Sequence, residues 1–167
     1  PLKGFNLNEF QSGAFIFTKM VENPQEFGVA EMDQDRNVIS IEEKPDMPKS
    51  NDAVVGAYMF DESVFEKISI LKPSKRGEYE ITDINKYYLE NKRLKVKLLG
   101  RGTVWLDTGT FDSLMQANNY VQVIEKRQGR KIGCIEEASY RMGLIDKNQL
   151  HDLAKELVNS GYGKYLL

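Results

Sequence analysis

Apolar residues fall along this chain in short runs and spaced stripes that switch between the two periods of regular structure. Gly13-Ala14-Phe15-Ile16-Phe17-Thr18 is a continuous apolar run, too short for a helix and rich in aromatic and β-branched side chains, so it predicts a buried strand in a sheet covered on both faces. Asn23-Pro24 opens a short turn that ends at Phe27-Gly28. Extended runs over 29–32 and 38–43 flank Asp33-Gln34-Asp35-Arg36-Asn37, whose polar composition is that of a hairpin loop. Residues 53–60 predict a further strand, interrupted by Gly56, where a ligand or a neighbouring backbone can come close.

Helical spacing takes over at Asp61, which is expected to cap a helix with Val64, Phe65 and Ile68 inward before Lys72-Pro73 stops it. A second helix is expected from Thr82 to Asn91, with Ile84, Tyr87 and Tyr88 on one side. Leu94-Lys95-Val96-Lys97-Leu98 alternates strictly and predicts a strand with one wet face. Residues 104–107 read as a short strand running into a helix from about 110 to 128, with Leu114, Ala117, Val121 and Ile124 as its inner stripe. Beyond Gly129 a helix is expected over 136–142. A last helix follows, capped by Asp146, with Leu150, Leu153, Ala154, Leu157 and Val158 inward and Gly161 at its end. Strands alternating with helices predict an α/β sheet flanked by helices, the closing helices forming a separate layer. Ligands in such sheets sit outside the carboxyl ends of the strands, an edge that Lys44, Asp107 and the loop holding Arg76 can all reach.

Composition narrows the classes. The 167 residues suffice for one domain with a real core. A net charge of -2, with lysines and arginines scattered along the chain, argues against nucleic acid as a partner. No apolar run has the length of a membrane span. Cys134 stands alone, which excludes an intrachain disulfide and a zinc-type cysteine pair and fits a reducing cytoplasm. The opening Pro1-Leu2-Lys3-Gly4, without a Met, suggests a fragment or a processed product.

Three segments carry candidate chemistry. Lys44 precedes Pro45, whose ring is expected to hold the lysine backbone extended and so aim a compact phosphate-binding charge, or Lys44 is a solvated lysine at a strand end. Arg76, followed by Gly77, can grip two phosphate oxygens, or it can pair on the surface with Glu78 or Glu80. Asp107 shares a strand face with Trp105 by the two-residue period and has the position of a magnesium-holding carboxylate; it could instead cap the following helix, as Thr108 or Thr110 also could. A lysine, an arginine and a carboxylate at one sheet edge suit a phosphorylated sugar with a divalent ion, and point to nucleotidyl transfer. No glycine-rich loop able to wrap a nucleoside triphosphate occurs in the sequence, so the chain reads as the acceptor half of an enzyme. Other signals fail. The segment from Asp33 copies the start of a calcium loop, but has Val38 where glycine is needed and Lys44 where a bidentate glutamate belongs. His151 has no nucleophile beside it, Cys134 reads as a buried small residue, and Gly100-Arg101-Gly102-Thr103 precedes a strand instead of a helix.

Glu43-Lys44-Pro45, the run from Arg76-Gly77-Glu78 to Ile84-Asn85, Gly100-Arg101-Gly102 with Trp105-Leu106-Asp107-Thr108-Gly109-Thr110, Glu125-x-Arg127-Gln128-Gly129 and Tyr162-Gly163-Lys164-Tyr165-Leu166 together resemble the glucose-1-phosphate thymidylyltransferase family over essentially the whole chain. The resemblance implies part of a nucleotidyltransferase-type mixed sheet and a magnesium-dependent reaction of glucose 1-phosphate with dTTP. It divides the chain into a sugar-phosphate-binding part, 1–128, and a helical segment, 129–167. It further implies that this is the C-terminal portion, the N-terminal nucleotide-binding half being absent and the isolated chain inactive. By the same resemblance Lys44 and Arg76 hold the sugar phosphate and Asp107 shares the Mg2+. Gly28, Glu43 and Val54 contact the glucose ring, and Tyr58 and Trp105 line the pocket. Family members are homotetramers, in which Arg101 and Glu125 belong to a region where dTDP-rhamnose inhibits. Uridylyl- or cytidylyltransferases of similar architecture are the alternative, as is a non-catalytic sugar-phosphate-binding or assembly fragment.

Overall fold

The computed structural model describes residues 10–167; the opening Pro1-Leu2-Lys3-Gly4 lies outside them. The chain forms two compact units, one up to Trp105 and one over Leu106–Leu167. This division falls earlier than the boundary at 128/129 implied by the resemblance.

The first unit is built on a five-stranded sheet: β1 (Ala14–Met20), β2 (Gly28–Met32), β3 (Val38–Glu43), β4 (Asp52–Phe60) and β5 (Leu94–Leu98), in the order β3-β2-β4-β1-β5. It is a mixed sheet, since β5 runs parallel to β1 while the other neighbours are antiparallel. Ile16, Phe17 and Thr18 are all buried, and successive strand residues point to opposite faces, so β1 is covered on both sides as expected. The expected hairpin is present: Asp33 accepts from the Asn37 backbone and side chain across the turn between β2 and β3. Gly56 marks a bulge. Ile16 pairs with Tyr58 and Thr18 with Val54, so two steps along β1 answer four along β4. No atom outside its chain neighbours lies within 4 Å of a β-carbon built there, which places neither a backbone nor a side chain close to it.

Two α-helices belong to this unit among the described residues, α1 (Val64–Ile68) and α2 (Ile81–Glu90). Ile84 and Tyr88 of α2 join Ala14 and Val64 in one apolar cluster, while Leu89 packs against a second made of Ile16, Ala30, Val38, Ile41 and Val54. Each such fully buried aliphatic or aromatic side chain contributes on the order of 1.5–3 kcal/mol. The expected inward stripe of α1 shrinks to Val64, because Phe65 is 73% exposed and Ile68 51% exposed on a helix of barely more than one turn. Nor is Asp61 a simple cap. Its carboxylate accepts from the backbones of Gly13 and Ser63 and from the hydroxyls of Ser63 and Tyr88, and pairs with Arg93, joining β1, α1, α2 and the approach to β5.

The second unit holds α3 (Phe111–Gln128), α4 (Ile135–Arg141), α5 (Lys147–Glu156) and α6 (Gly161–Leu166). Thr110 caps α3 through a reciprocal bond with Ser113, and Gly129 closes it in the left-handed conformation at φ 63°. Asp146 caps α5 as expected, paired with Gln149. Three expectations are corrected here. Residues 104–107 form no strand. The inner stripe of α3 holds in part, with Ala117 buried, Val121 and Ile124 half-buried and Leu114 exposed, while that of α5 narrows to buried Ala154 and half-buried Leu150, with Leu153 and, beyond the helix end, Leu157 and Val158 exposed. Gly161 does not end α5 but begins α6, capped by Ser160, whose side chain accepts from the Gly163 backbone. Cys134 is free and buried, as read from the sequence.

Candidate functional site

Hairpin pairing brings Gly28, the first residue of β2, opposite Glu43, the last of β3. The start of α2 closes over this pair. Thr82 donates its hydroxyl to Glu43 Oε2 at 2.5 Å, and a β-carbon placed on Gly28 would stand 3.1 Å from that oxygen, 3.2 Å from Thr82 Oγ1 and 3.9 Å from Val54 Cβ. Glycine at position 28 therefore lets the oriented Glu43 carboxylate and the Thr82 hydroxyl approach the β2 backbone closely. Tyr58 stands close enough for the Glu43 charge to act on it: burial foremost, then that charge, push the phenol above its ordinary range.

Arg76 reaches the other carboxylate oxygen. Its Nη1 lies 3.9 Å from Glu43 Oε1, its Nε lies 3.8 Å from Glu80 Oε1, and its Nη2 bonds Glu78. Glu80 is nearly buried and is fixed by the Ser74 hydroxyl at 2.8 Å. Both surface pairings of Arg76 foreseen from the sequence are thus present, together with the contact to Glu43 that was not. Gly77, at φ 79°, lets this loop turn between α1 and α2.

Lys44 continues the hairpin, its backbone N–H donating to the Phe27 carbonyl at 3.0 Å. The expectation of an extended backbone before Pro45 is overturned: Lys44 lies at φ 41°, in the left-handed region that non-glycine residues enter at a cost of about 1–3 kcal/mol. Strand pairing up to Glu43 and the bond to Phe27 hold it there. The side chain is exposed and has no hydrogen bond or ion pair among the described residues. Trp105 packs edge-on against Phe27, ring centroids 4.9 Å apart, and so stands beside the start of β2. Gly28, Glu43, Lys44, Val54, Tyr58, Arg76 and Trp105 thus all belong to the first unit and gather around the β2–β3 end of the sheet.

Asp107 belongs to the second unit. With no strand there, the shared face with Trp105 disappears; the exposed carboxylate turns to its own chain, 3.3 Å from the Gly109 backbone N–H. The capping alternative for Asp107 is overturned, since Thr110 takes that role. No group of three or more His, Cys, Asp or Glu side chains arranged for a metal occurs among the described residues. Arg101 is exposed on the turn closed by Thr103 N–H to Gly100 O. Glu125, near the end of α3, accepts from Lys131 Nζ and from the Ile132 backbone, and these bonds hold its carboxyl below the usual range.

Thr82, Ser74 and Phe27 were not singled out from the sequence as site residues. Thr82 lies within the motif that carries Arg76, but was read only as a helix-start residue. A threonine one position inside a helix start, with a glutamate at the end of a preceding strand, was the available signal for the clamp.

A profile of the nucleotidyl transferase family matches residues 2–123. The chain is 52% identical over 169 aligned positions to a glucose-1-phosphate thymidylyltransferase of Mycolicibacterium smegmatis, covering 100% of this chain and 59% of that protein. It is 46% identical to the protein of the same name from Neisseria meningitidis serogroup A, over 93% of this chain and 54% of the relative. Among solved structures, a Bacillus anthracis protein described as a glucose-1-phosphate thymidylyltransferase, crystallised with sucrose, superposes with a TM-score of 0.60 at 44% identity, over 68% of this chain and 45% of that one. A UDP-glucose pyrophosphorylase in complex with UDP-glucose shares the fold, with a TM-score of 0.58 at 24% identity, over 65% of this chain and 43% of its own. The chain spans under two thirds of the length of these relatives. The reading of it as the C-terminal portion, with an N-terminal half absent, is withdrawn: matched shares measure how much of a relative is represented, and no end follows from them.

Proposed function

Because the chain belongs to the nucleotidyl transferase family, we propose that it supplies the sugar-phosphate subsite of an enzyme joining glucose 1-phosphate to dTTP. The observation that carries this reading is the Glu43 carboxylate, which Thr82 orients close against Gly28 and beside Arg76. A half-buried carboxylate is an acceptor for hexose hydroxyls, and a guanidinium beside it suits the ester phosphate. Val54 lies against Gly28, Tyr58 stands near Glu43 and Trp105 packs on Phe27, which suits these side chains to contact the sugar ring. In the reaction an oxygen of the sugar phosphate attacks the α-phosphorus of the triphosphate, forming the new P–O bond while the α–β bond breaks and pyrophosphate leaves. Lys44, whose ammonium is unengaged among the described residues, and Arg76 neutralise the attacking phosphate, whose own negative charge opposes its approach to the triphosphate.

Asp107 fits a magnesium role as a single exposed carboxylate, because Mg2+ takes only one or two protein carboxylates and fills its other positions with phosphate oxygens and water. When bound, the ion neutralises charge on the phosphates. Binding of one sugar phosphate by Lys44 and Arg76 is part of this proposal, as is the magnesium role of Asp107. So are a homotetrameric assembly, a regulatory role for Arg101 and Glu125, the division at residue 128, and a cytoplasmic location; no helix among the described residues is long and apolar enough to cross a membrane.

Calorimetric titration of glucose 1-phosphate into the chain tests the reading. Saturable binding is expected, weakened about tenfold or more by Lys44→Ala, the loss that accompanies removal of a charged hydrogen-bond donor. Absence of saturable binding leaves an assembly segment as the function and sinks the proposal. With dTTP, glucose 1-phosphate and Mg2+, the 167 residues alone are expected to release no pyrophosphate, since the sequence contains no triphosphate-wrapping glycine loop; clear turnover overturns that part. Replacing dTTP by UTP or CTP in the full-length enzyme decides between thymidylyl and other nucleotidyl transfer.

A further inference from the structure

Arg76 is engaged on every side. Glu43 stands at Nη1, Glu80 at Nε and Glu78 at Nη2. These three carboxylates differ in what holds them. Glu43 is fixed by Thr82, and Glu80, with 11% of its side chain exposed, by Ser74. Glu78 has 63% of its side chain exposed, and its bond to Arg76 is the only contact of its carboxylate among the described residues. It also sits two positions from the arginine in a loop turned by Gly77, so it can swing away without disturbing a strand or a helix.

We infer that Glu78 is an internal competitor for the phosphate subsite: its carboxylate occupies the outer edge of the Arg76 guanidinium in the unliganded chain and must leave when a phosphomonoester binds. This rests on the assignment of Arg76 to the sugar phosphate. A carboxylate and a phosphate present the same pair of acceptor oxygens to a guanidinium, and both cannot take the Nη2 edge at once. Glu43 and Glu80 approach the remaining nitrogens at 3.8–3.9 Å, distances that orient the group without saturating its donors. Because the displaced pair is exposed, its loss is cheap; the competitor lowers phosphate affinity without abolishing it. Selectivity follows as well. A dianionic phosphomonoester has the charge to displace the carboxylate, whereas a neutral hexose gains nothing from doing so.

Calorimetry with glucose 1-phosphate on the full chain and on Glu78→Gln, Arg76→Ala and the double variant tests the inference. Glu78→Gln is expected to bind about two- to five-fold more tightly, the range an exposed ion pair commands. That gain is expected to vanish in the Arg76→Ala background, where there is nothing left to compete for. A gain that persists without Arg76 is a long-range effect of one fewer negative charge, and overturns the inference. Unchanged or weaker binding by Glu78→Gln, with Arg76→Ala weakened, also overturns it while leaving the subsite intact. If Arg76→Ala binds as well as the unaltered chain, or if the unaltered chain does not bind, the assignment of Arg76 fails and the inference with it.

Discussion

Asp61 ties more of the first unit together than any residue of the proposed subsite. Its carboxyl is held at about 2, first through the Ser63 hydroxyl, then by bonds from the Gly13 backbone and Tyr88 and by the Arg93 charge, against an opposing effect of burial. A folded-state value below the unfolded one means that the charged form stabilises the fold above the unfolded value near 3.9, and that this support is lost as pH falls through about 2. Asp61→Asn is therefore expected to cost about 2 kcal/mol at neutral pH, with the gap to the unaltered chain closing between roughly pH 4 and 2. Urea denaturation at several pH values measures this; a gap independent of pH shows that the charge is not what stabilises. None of this was legible in the sequence. Asp61 looked like a helix cap because aspartate before an apolar stripe usually is one, and its actual partners, Gly13, Tyr88 and Arg93, are brought to it only by the closed sheet. Glu43 offers the contrast: its place at the end of a strand was readable from the hairpin pattern, while the Thr82 that orients it lies 39 residues away.

Elements whose ends are marked by local chemistry were foreseen, and those defined by packing were not. The hairpin of β2 and β3, the helix closed by Gly129 and the helix capped by Asp146 each carry their signal within a few residues. The stretch 104–107 carries apolar residues at strand spacing but has no partner strand, and spacing alone does not make a ladder. Glycine hid α6, since Gly161 read as a stop. Space explains Gly163. A β-carbon there would lie 2.1 Å from the Leu157 carbonyl oxygen at the end of α5, so the α5–α6 junction admits no side chain at this position. Gly163→Ala, although it favours helix by propensity, is expected to destabilise the second unit by about 1–3 kcal/mol, the cost of forcing atoms into a packed site. Gly161→Ala, where nothing lies within 4 Å, is the matched control and is expected to be neutral or slightly stabilising. Thermal melts followed by helical circular dichroism compare the two; equal midpoints would refute the packing argument.

At the scale of the molecule, the two units differ in how much apolar surface each encloses. Nearly all the buried apolar residues lie in the sheet unit, whereas over 106–167 the buried residues are Ala117, Cys134, Ala154 and Gly163. Hydrophobic burial is the main favourable contribution to folding, so the helices α3 to α6 have less to hold them than β1, β4 and α2. Cooperative units of unequal stability do not unfold together. The sole tryptophan, Trp105, reports on the sheet unit through its contact with Phe27, while most of the helical signal comes from the second unit. In a urea titration the far-ultraviolet helical signal is therefore expected to fall before the tryptophan fluorescence shifts, and amides in α3 to α6 to exchange with solvent sooner than those of β1. Coincident transitions by the two probes, with equal protection in both units, would mean that the helical segment draws its stability from the same cooperative core as the sheet, and the unequal burial would then have no energetic consequence.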